Sequence, residues 1–543
     1  MKQPPEQHVE RAKLKDLREL VSYGMDTYGG KKAFWYRKGD DLVCISFRKL
    51  YKDVTALGEY ILNAKVENGA RIAVLGENSY AWIVTYLAVV NTGNVIVPID
   101  KELKPAEVAV LLADSCPSIF VYSHAKEKCV RAMQEDGLSI DKMICMDDFD
   151  AILKEGADLR RGGSRLYESV CLDRDAMCAI IYTSGTTGDP KGVMLSQKNL
   201  AQDAYRSMSC MYIPDGTMAI LPLNHTFGFM ASVICQLWMG NSIFINNSLK
   251  TVLKDIQTAK PGHISVVPLF IENFYKNIWK AAEKSGKAKL LRRLIAVSNA
   301  LRKVGIDLRR TFFRSVIDQF GGNLSMLITG GAPISDQYMK GFEDLGITII
   351  NGYGITECSP IVALNRNNNI RCGTVGAPIP GVSVKIDNPD SEGEGEICVK
   401  GDIVMLGYYK NPEATAAAFD EEGYFKTGDY GRLDEDGWIY ITGRLKNLII
   451  LSNGKNVYPE EIETLLSFIE NVTEVVVYRE KETIVAEIYS DAEGDMAAIR
   501  AQIENAVREV NQGLAGYKQV KKVKFRETEF EKTTTKKIKR NCI

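Results

Sequence analysis

Through the first two-thirds of the chain, apolar runs rich in β-branched residues alternate with helical patterns. RIAVLGENS, YAWIVTYLAVVNTG, NVIVPID, KPAEVAVLLADS and IFVYS follow one another between residues 71 and 123. That alternation predicts parallel α/β layers. From about 372 to 443 the pattern shortens to VSVKI, GEICVKG and WIYITG, separated by Gly, Asp and Asn turns, which predicts a small antiparallel, β-rich subdomain. Beyond Gly443 the α/β pattern returns. LKNLIIL reads as a strand, and PEEIETLLSFIE as a helix with Pro at its first position and acids in its first turn. EVVVYR, TIVAEIY and the helical AAIRAQIENAVREVNQ follow. The expected organisation is therefore an α/β large domain over 1–443, with its β-rich part at about 372–443, and a small α+β domain over 444–543 joined at a hinge near Lys446.

Length agrees with that division, because 543 residues exceed one ordinary core. With 45% hydrophobic and 25% charged residues and a net charge of -1, the chain has the balance of a globular protein and no global pull towards nucleic acid. The N-terminal MKQPPEQHVERAKLKDL lacks the apolar core of a signal peptide, and no apolar run is long enough to cross a bilayer, so a cytoplasmic location is expected. The 12 cysteines are scattered without a CxxC pair and are read as reduced, mostly buried thiols. None of His8, His124, His225 and His263 has a second ligand at metal spacing, which argues against a protein-held transition metal. With no repeat period or low-complexity tract, an enzyme is a better first reading than a scaffold.

The segment with the clearest chemistry is CAIIYTSGTTGDPKGVMLSQKNL, in which an apolar strand ends in a Gly/Ser/Thr loop, a lysine follows, and a helix starts after Ser196. Backbone N–H groups freed by Gly185 and Gly188 can wrap phosphate oxygens. Thr183, Ser184, Thr186 and Thr187 add hydroxyl donors, and Lys191 adds positive charge. It is not the Walker loop, because Asp189 and Pro190 separate the second glycine from the lysine. Taken alone such a stretch is more often a flexible connector.

YTSGTTGDPKG (182–192) resembles the signature of the adenylate-forming superfamily of acyl-CoA synthetases, luciferases and peptide-synthetase adenylation domains, and the resemblance runs over nearly the whole chain. GYGITECSP (352–360) resembles its second core motif, which implies Tyr353 on adenine, Thr356 on the α-phosphate and Glu357 on Mg²⁺. An aromatic face, a short donor and a hard carboxylate suit those roles. ITGGAPIS (328–335) resembles the segment beside the adenine, implying Gly331, Ala332 and Pro333, although an ordinary β-turn is its plain reading. YFKTGDYGRLDEDGWIYITGRLKNLIILSNGKNVYPEEIE (424–463) is the longest match and implies ribose contacts for Asp429 and Arg444, with Lys446 as the pivot. A carboxylate can accept two sugar hydroxyls. EKTTTKKIKRNCI (531–543) is similar to the family's terminal P-x-T-x-[ST]-G-K-I-x-R and implies Lys537 as the lysine bridging carboxylate and α-phosphate. Lys536 stands where the family has Gly and no Pro precedes the first Thr, so the register could fall on Lys536 instead.

The resemblance implies ATP-dependent activation of a carboxylic acid, with Mg²⁺, followed by transfer to coenzyme A. Alternatives are an acyl-AMP ligase serving a separate carrier protein, and a non-catalytic nucleotide or membrane binder. LPLNHTFGFMASVICQLWMGNSIFI (221–245) could wall an acyl pocket, with His225 near the carboxylate and Gly228 giving space, or could simply be core. The basic, leucine-rich segment 281–314 resembles one in long-chain acyl-CoA synthetases and is either a solvated face or a peripheral membrane contact. A medium- or long-chain fatty acid is the expected substrate.

Overall fold

The run RIAVL forms the strand Arg71–Leu75, in which Ile72, Ala73, Val74 and Leu75 are all buried. Only a strand covered on both faces can be apolar at every position, which is the parallel-sheet arrangement. In the computed structural model this strand is central to a seven-stranded sheet. The order is Gly407–Tyr408, Pro190–Ser196, Met177–Ser184, Val95–Ile99, Arg71–Leu75, Ile119–Tyr122 and Lys142–Cys145. The last five strands run parallel, and the first two add on antiparallel. The helix Tyr80–Asn91, apolar all round, is buried over its whole described face, and Ser79 caps it by accepting from the Trp82 N–H at 3.2 Å.

The structure describes residues 12–184, 190–367, 369–451, 455–481, 483–532 and 538–540, with the side chain of residue 184 excepted. The chain divides into two units, one containing the residues up to 383 together with 399–425, the other 384–398 and the residues from 426 onward. Beside the seven-stranded sheet, the first unit holds a five-stranded sheet in which His263–Val266, Met326–Thr329 and Thr348–Gly354 are parallel. Ile361–Leu364 and Ala377–Pro378 complete it in antiparallel sense. Most of the four-stranded sheet Ser383–Asp387, Gly395–Lys400, Phe425–Leu433 and Ile439–Arg444 belongs to the second unit. That unit also holds a three-stranded sheet, Glu474–Glu480, Thr483–Tyr489 and Lys522–Arg526, packed with the helices Pro459–Leu466 and Met496–Gln512 on a core of Ile462, Leu466, Val477, Ile484, Ile488, Ile503 and Val507. The fold class is α/β, as the alternation of patterns predicts.

One local expectation is corrected. LKNLIIL is not one strand: Leu445–Asn447 form a 3-10 turn and only Ile449–Ile450 are extended, because their partner Asn456–Val457 is just two residues long. The helix expected after Ser196 is present, and a strand carrying the lysine precedes it. Pro190–Ser196 returns as a strand antiparallel to Met177–Ser184, and the helix begins at Gln197. Ser196 caps it reciprocally with Asn199, through N–H to side-chain bonds of 2.8 and 3.1 Å.

Candidate active site

The phosphate-loop motif forms a hairpin in which Thr183 pairs with Lys191 and Ser184 with Pro190. Gly185, Thr186, Thr187 and Gly188 lie outside the described residues, as does Asp189. The hairpin base is tight. A Cβ at Gly192 would come 2.9 Å from Ile180 Cγ2 and 3.2 Å from Tyr409 Cβ, so glycine is required by close approach. Tyr182 donates to Asp114 Oδ2 at 2.5 Å, and burial together with that carboxylate holds its phenol proton firmly.

Lys191 reaches over the ring of Tyr408, 5.1 Å from its centroid, and the Tyr408 hydroxyl donates to Glu357 Oε1 at 3.0 Å. Tyr408 therefore links the lysine of the phosphate hairpin to the carboxylate of the second motif. It is set there by pairing of Gly407 and Tyr408 with Met194 and Val193. Burial, then the Glu357 charge, pushes the Tyr408 phenol well above its ordinary value, so it remains a donor. The sequence reading passed over Tyr408. Its only signal is the aromatic pair in GYYKNP, because the strand contact that places it spans some two hundred residues of chain.

Thr356 and Glu357 open a half-buried 3-10 turn, Thr356–Cys358, directly after the strand that carries Tyr353. Tyr353 is buried and lines a cavity of about 50 Å³ together with Gly330, Gly331, Phe227, Ala231 and Met208, among others. Its walls are largely apolar. Glycine is needed around it. At Gly354 a Cβ would stand 1.9 Å from the Pro360 carbonyl oxygen. Gly331 has φ of +81°, while Ala332 and Pro333 are exposed and do not line the cavity.

The segment expected to wall a pocket is one helical run: Thr226–Phe229, a π-helical turn Met230–Ile234, then Cys235–Trp238. The π turn is where Ala231 meets the cavity, a use of such turns that recurs at functional sites. Gly228 does not open space: its Cβ would lie 2.2 Å from the Pro222 oxygen, so it serves close packing. His225 is not core. Its side chain is one-third exposed, with Nε2 3.8 Å from Asp100 Oδ2 at the carboxyl end of the strand Val95–Ile99. The core histidine is His263, fully buried, with Nδ1 2.7 Å from the Pro214 oxygen and its pKa lowered by burial to about 4.

In the second unit Asp429 and Arg444 are directly opposed on neighbouring antiparallel strands, with Nε 2.7 Å from Oδ1. Asp429 is 3% exposed and its N–H donates to Thr427 Oγ1 at 3.1 Å. Lys446 is exposed, and desolvation followed by the charge of Arg444 lowers its pKa. Lys537, with Lys536, lies outside the described residues. The residues around them are held. Lys532 bridges Ile538, and Arg540 ion-pairs with Glu463 and donates to the Val477 oxygen at 3.2 Å. Burial raises the Glu463 carboxyl to about 7 against the pull of Arg540.

Among the described residues one grouping brings a histidine to other ligand types. His124, Cys145 and Asp147 meet where the adjacent parallel strands Ile119–Tyr122 and Lys142–Cys145 end, although 21 positions separate the histidine from the cysteine.

A profile of the AMP-binding enzyme family matches residues 24–409, most of the chain. The chain belongs to the AMP-binding enzymes. Among curated relatives, a long-chain-fatty-acid–CoA ligase of Mycobacterium bovis is 28% identical, covering 90% of this chain and 88% of that protein. Long-chain-fatty-acid–CoA ligase 6 of Rattus norvegicus is 28% identical over 85% of this chain and 71% of its own length. Among solved structures, ATP-bound MatB from Rhodopseudomonas palustris gives a TM-score of 0.75 at 25% identity, covering 97% of this chain and 98% of MatB. The anthranilate CoA ligase AuaEII in complex with anthranoyl-AMP gives 0.78 at 20% identity, over 97% of this chain and 96% of that one, and shares the fold.

Proposed function

We propose that this AMP-binding enzyme activates a medium- or long-chain fatty acid with ATP and passes the acyl group to coenzyme A, releasing AMP and pyrophosphate. The observation that carries the reading is the Lys191–Tyr408–Glu357 arrangement, which sets a cation and a carboxylate on either side of one phenol at the base of the phosphate hairpin. The named activities of the M. bovis and rat relatives support the fatty acid and coenzyme A.

In the first step a carboxylate oxygen bonds to the α-phosphorus, the bond to the β-phosphate oxygen breaks, and pyrophosphate leaves. In the second, a thiol sulfur bonds to the acyl carbon and the C–O bond to AMP breaks. Thr183, Ser184, the 185–188 loop and Lys191 bind and orient phosphate oxygens, Tyr353 packs on adenine beside Gly331, Ala332 and Pro333, and Asp429 with Arg444 holds the ribose. Orientation of this kind supplies much of the barrier reduction. Glu357, a half-buried carboxylate with one oxygen steadied by Tyr408, fits Mg²⁺, a hard ion that takes oxygen ligands. When bound, the ion would neutralise phosphate charge. Thr356 donates to the α-phosphate, and Lys537 pairs with the reacting oxygens. His225 stands at the carboxylate end of the acyl site, and Lys446 is the pivot on which 444–543 turns between the steps.

The cavity's Met208 and Met211 are flexible, unbranched gap-fillers, which suits a lining that yields to an alkyl chain. Pyrophosphate release measured across carboxylic acids of graded chain length, with and without coenzyme A, tests the proposal. The expected result is release with fatty acids and thioester formation only with coenzyme A. Release without thioester would point to a carrier-protein acceptor, and ATP binding without release would point to a non-catalytic binder.

A further inference from the structure

The basic segment 281–314 left two sequence readings open, and the exposure of its apolar side chains separates them. The helix Ala288–Arg302 packs against the first unit through buried Leu291 and Ser298. On another face, Leu290 is 53% exposed and Val297 50%, and just past the helix Val304 is 72% and Ile306 48% exposed. Leu294 and Leu301, half-buried, continue the same row. Positions 290, 294, 297 and 301 step by four, three and four, which on a helix of 3.6 residues per turn is one narrow stripe, and Val304 follows in the turn beyond its end. Apolar side chains scattered singly on a surface need no explanation, but a contiguous row does.

The charges beside the row are of one sign. No Asp or Glu occurs between Glu283 and Asp307, while Lys287, Lys289, Arg292, Arg293 and Lys303 fall within that span. The nearby acids are already engaged by other partners. Glu343 pairs with Arg302 at 2.6 Å, Asp344 accepts from Asn299 at 2.9 Å, and Asp307 pairs with Arg309 at 2.6 Å.

A four-three spacing also suits a helix–helix seam with a second copy. The flanking positions argue against it. Lys289, Arg293 and Lys303 on one copy would find no acid on the other, only the same cations. An anionic bilayer satisfies both halves of the surface, taking leucine and valine into the acyl boundary and the cations at lipid phosphates. We propose that the helix Ala288–Arg302, with Val304 and Ile306, seats this protein on the surface of an anionic lipid bilayer. The seat does not depend on which acid is activated.

Flotation of the full chain with phosphatidylcholine vesicles, alone or mixed with an equal part of phosphatidylglycerol, tests this. The protein should float with the anionic vesicles and fall away as ionic strength is raised from about 0.1 M to about 1 M. V297D/V304D should lower partitioning at least ten-fold, and K289Q/R293Q/K303Q roughly five-fold per charge removed. Both variants should keep the wild-type circular dichroism, melting temperature and pyrophosphate release with a short, water-soluble acid. Absence of the wild type from the floating fraction, or flotation of V297D/V304D at the wild-type level, would overturn the proposal. So would a concentration-dependent dimer in light scattering that V297D/V304D abolishes, because that would give the stripe to a second copy. Lack of pyrophosphate release with every acid would instead defeat the catalytic reading and leave the flotation result standing.

Discussion

Two regions of the molecule carry candidate site residues and hold them by opposite physical means. In the first unit, the Tyr353 cavity and the phosphate hairpin are built by close approach. Gly192, Gly228 and Gly354 each lack room for a Cβ, Tyr353 is buried, and polar contacts such as Tyr408 to Glu357 are set by strand pairing. In the second unit, Arg444 and Arg540 are partly buried cations positioned by ion pairs and, for Arg540, a backbone contact, while Lys446 is exposed. The difference teaches where chemistry and folding can be separated. Substitutions in the first region should cost stability and activity together, and those in the second should cost activity while leaving the fold near its starting stability.

The largest separation is expected at Lys537. K537A should lower acid-dependent pyrophosphate release by roughly a thousand-fold, in the range seen when a group that stabilises developing charge is removed. Thioester formation from pre-made acyl-adenylate should stay near wild type, and the melting temperature should not move. Loss of both half-reactions would break the assignment, and K536A behaving this way in its place would shift the register by one.

G354A sits at the opposite pole. Its Cβ meets the Pro360 oxygen at 1.9 Å, backbone against backbone, so overpacking should cost about 1–3 kcal/mol or more, seen as a clear fall in melting temperature with a parallel loss of activity. Unchanged melting would mean that the loop adapts and that the region is not built by close approach.

D429A should reduce kcat/KM for ATP about ten- to hundred-fold, the worth of hydrogen bonds to a charged group, and leave melting nearly unchanged because Arg444 is partly exposed to solvent. Y408F should be milder, at about five-fold in kcat, with a rise in the Mg²⁺ concentration needed for half-maximal rate. A Y408F enzyme with an unaltered Mg²⁺ requirement would detach Tyr408 from Glu357's role.

The smallest effect concerns Asp203, fully buried beside the cavity wall, where burial pushes its carboxyl pKa well above the ordinary value and the Ile361 N–H offers a 3.3 Å contact. The folded form keeps the proton while the unfolded chain releases it near pH 4. Stability therefore falls as pH rises above that value, by linkage. D203N, neutral at all pH, should melt slightly above wild type, with the gap widening from pH 5 to pH 8. A constant gap would refute the buried neutral acid.

The parts of this molecule that could be read from sequence are those fixed by local pattern. Fully buried strands such as Arg71–Leu75, the helix with Pro459 at its first position, and the order of the nucleotide motifs are legible because periodicity, capping and short spacings carry them. Tyr408 was missed because its place depends on pairing with Val193 and Met194, far along the chain. The meeting of His124, Cys145 and Asp147 was missed for the same reason, since adjacent parallel strands bring together residues that no ligand-spacing rule would pair. Gly228 was noticed for the wrong reason, as sequence cannot tell a glycine that makes space from one that lets backbones touch. LKNLIIL was overextended because a strand needs a partner, and the partner is two residues long.

Formation of an acyl-adenylate is the central claim, and the fate of one oxygen atom tests it most directly. With a fatty acid labelled with ¹⁸O in its carboxyl group, plus ATP, Mg²⁺ and coenzyme A, the AMP released should carry one ¹⁸O on its phosphorus, because the acid's oxygen bonds to the α-phosphorus and stays with AMP when the thiol breaks the C–O bond. Unlabelled AMP, or label appearing in inorganic phosphate with ADP as the nucleotide product, would contradict it.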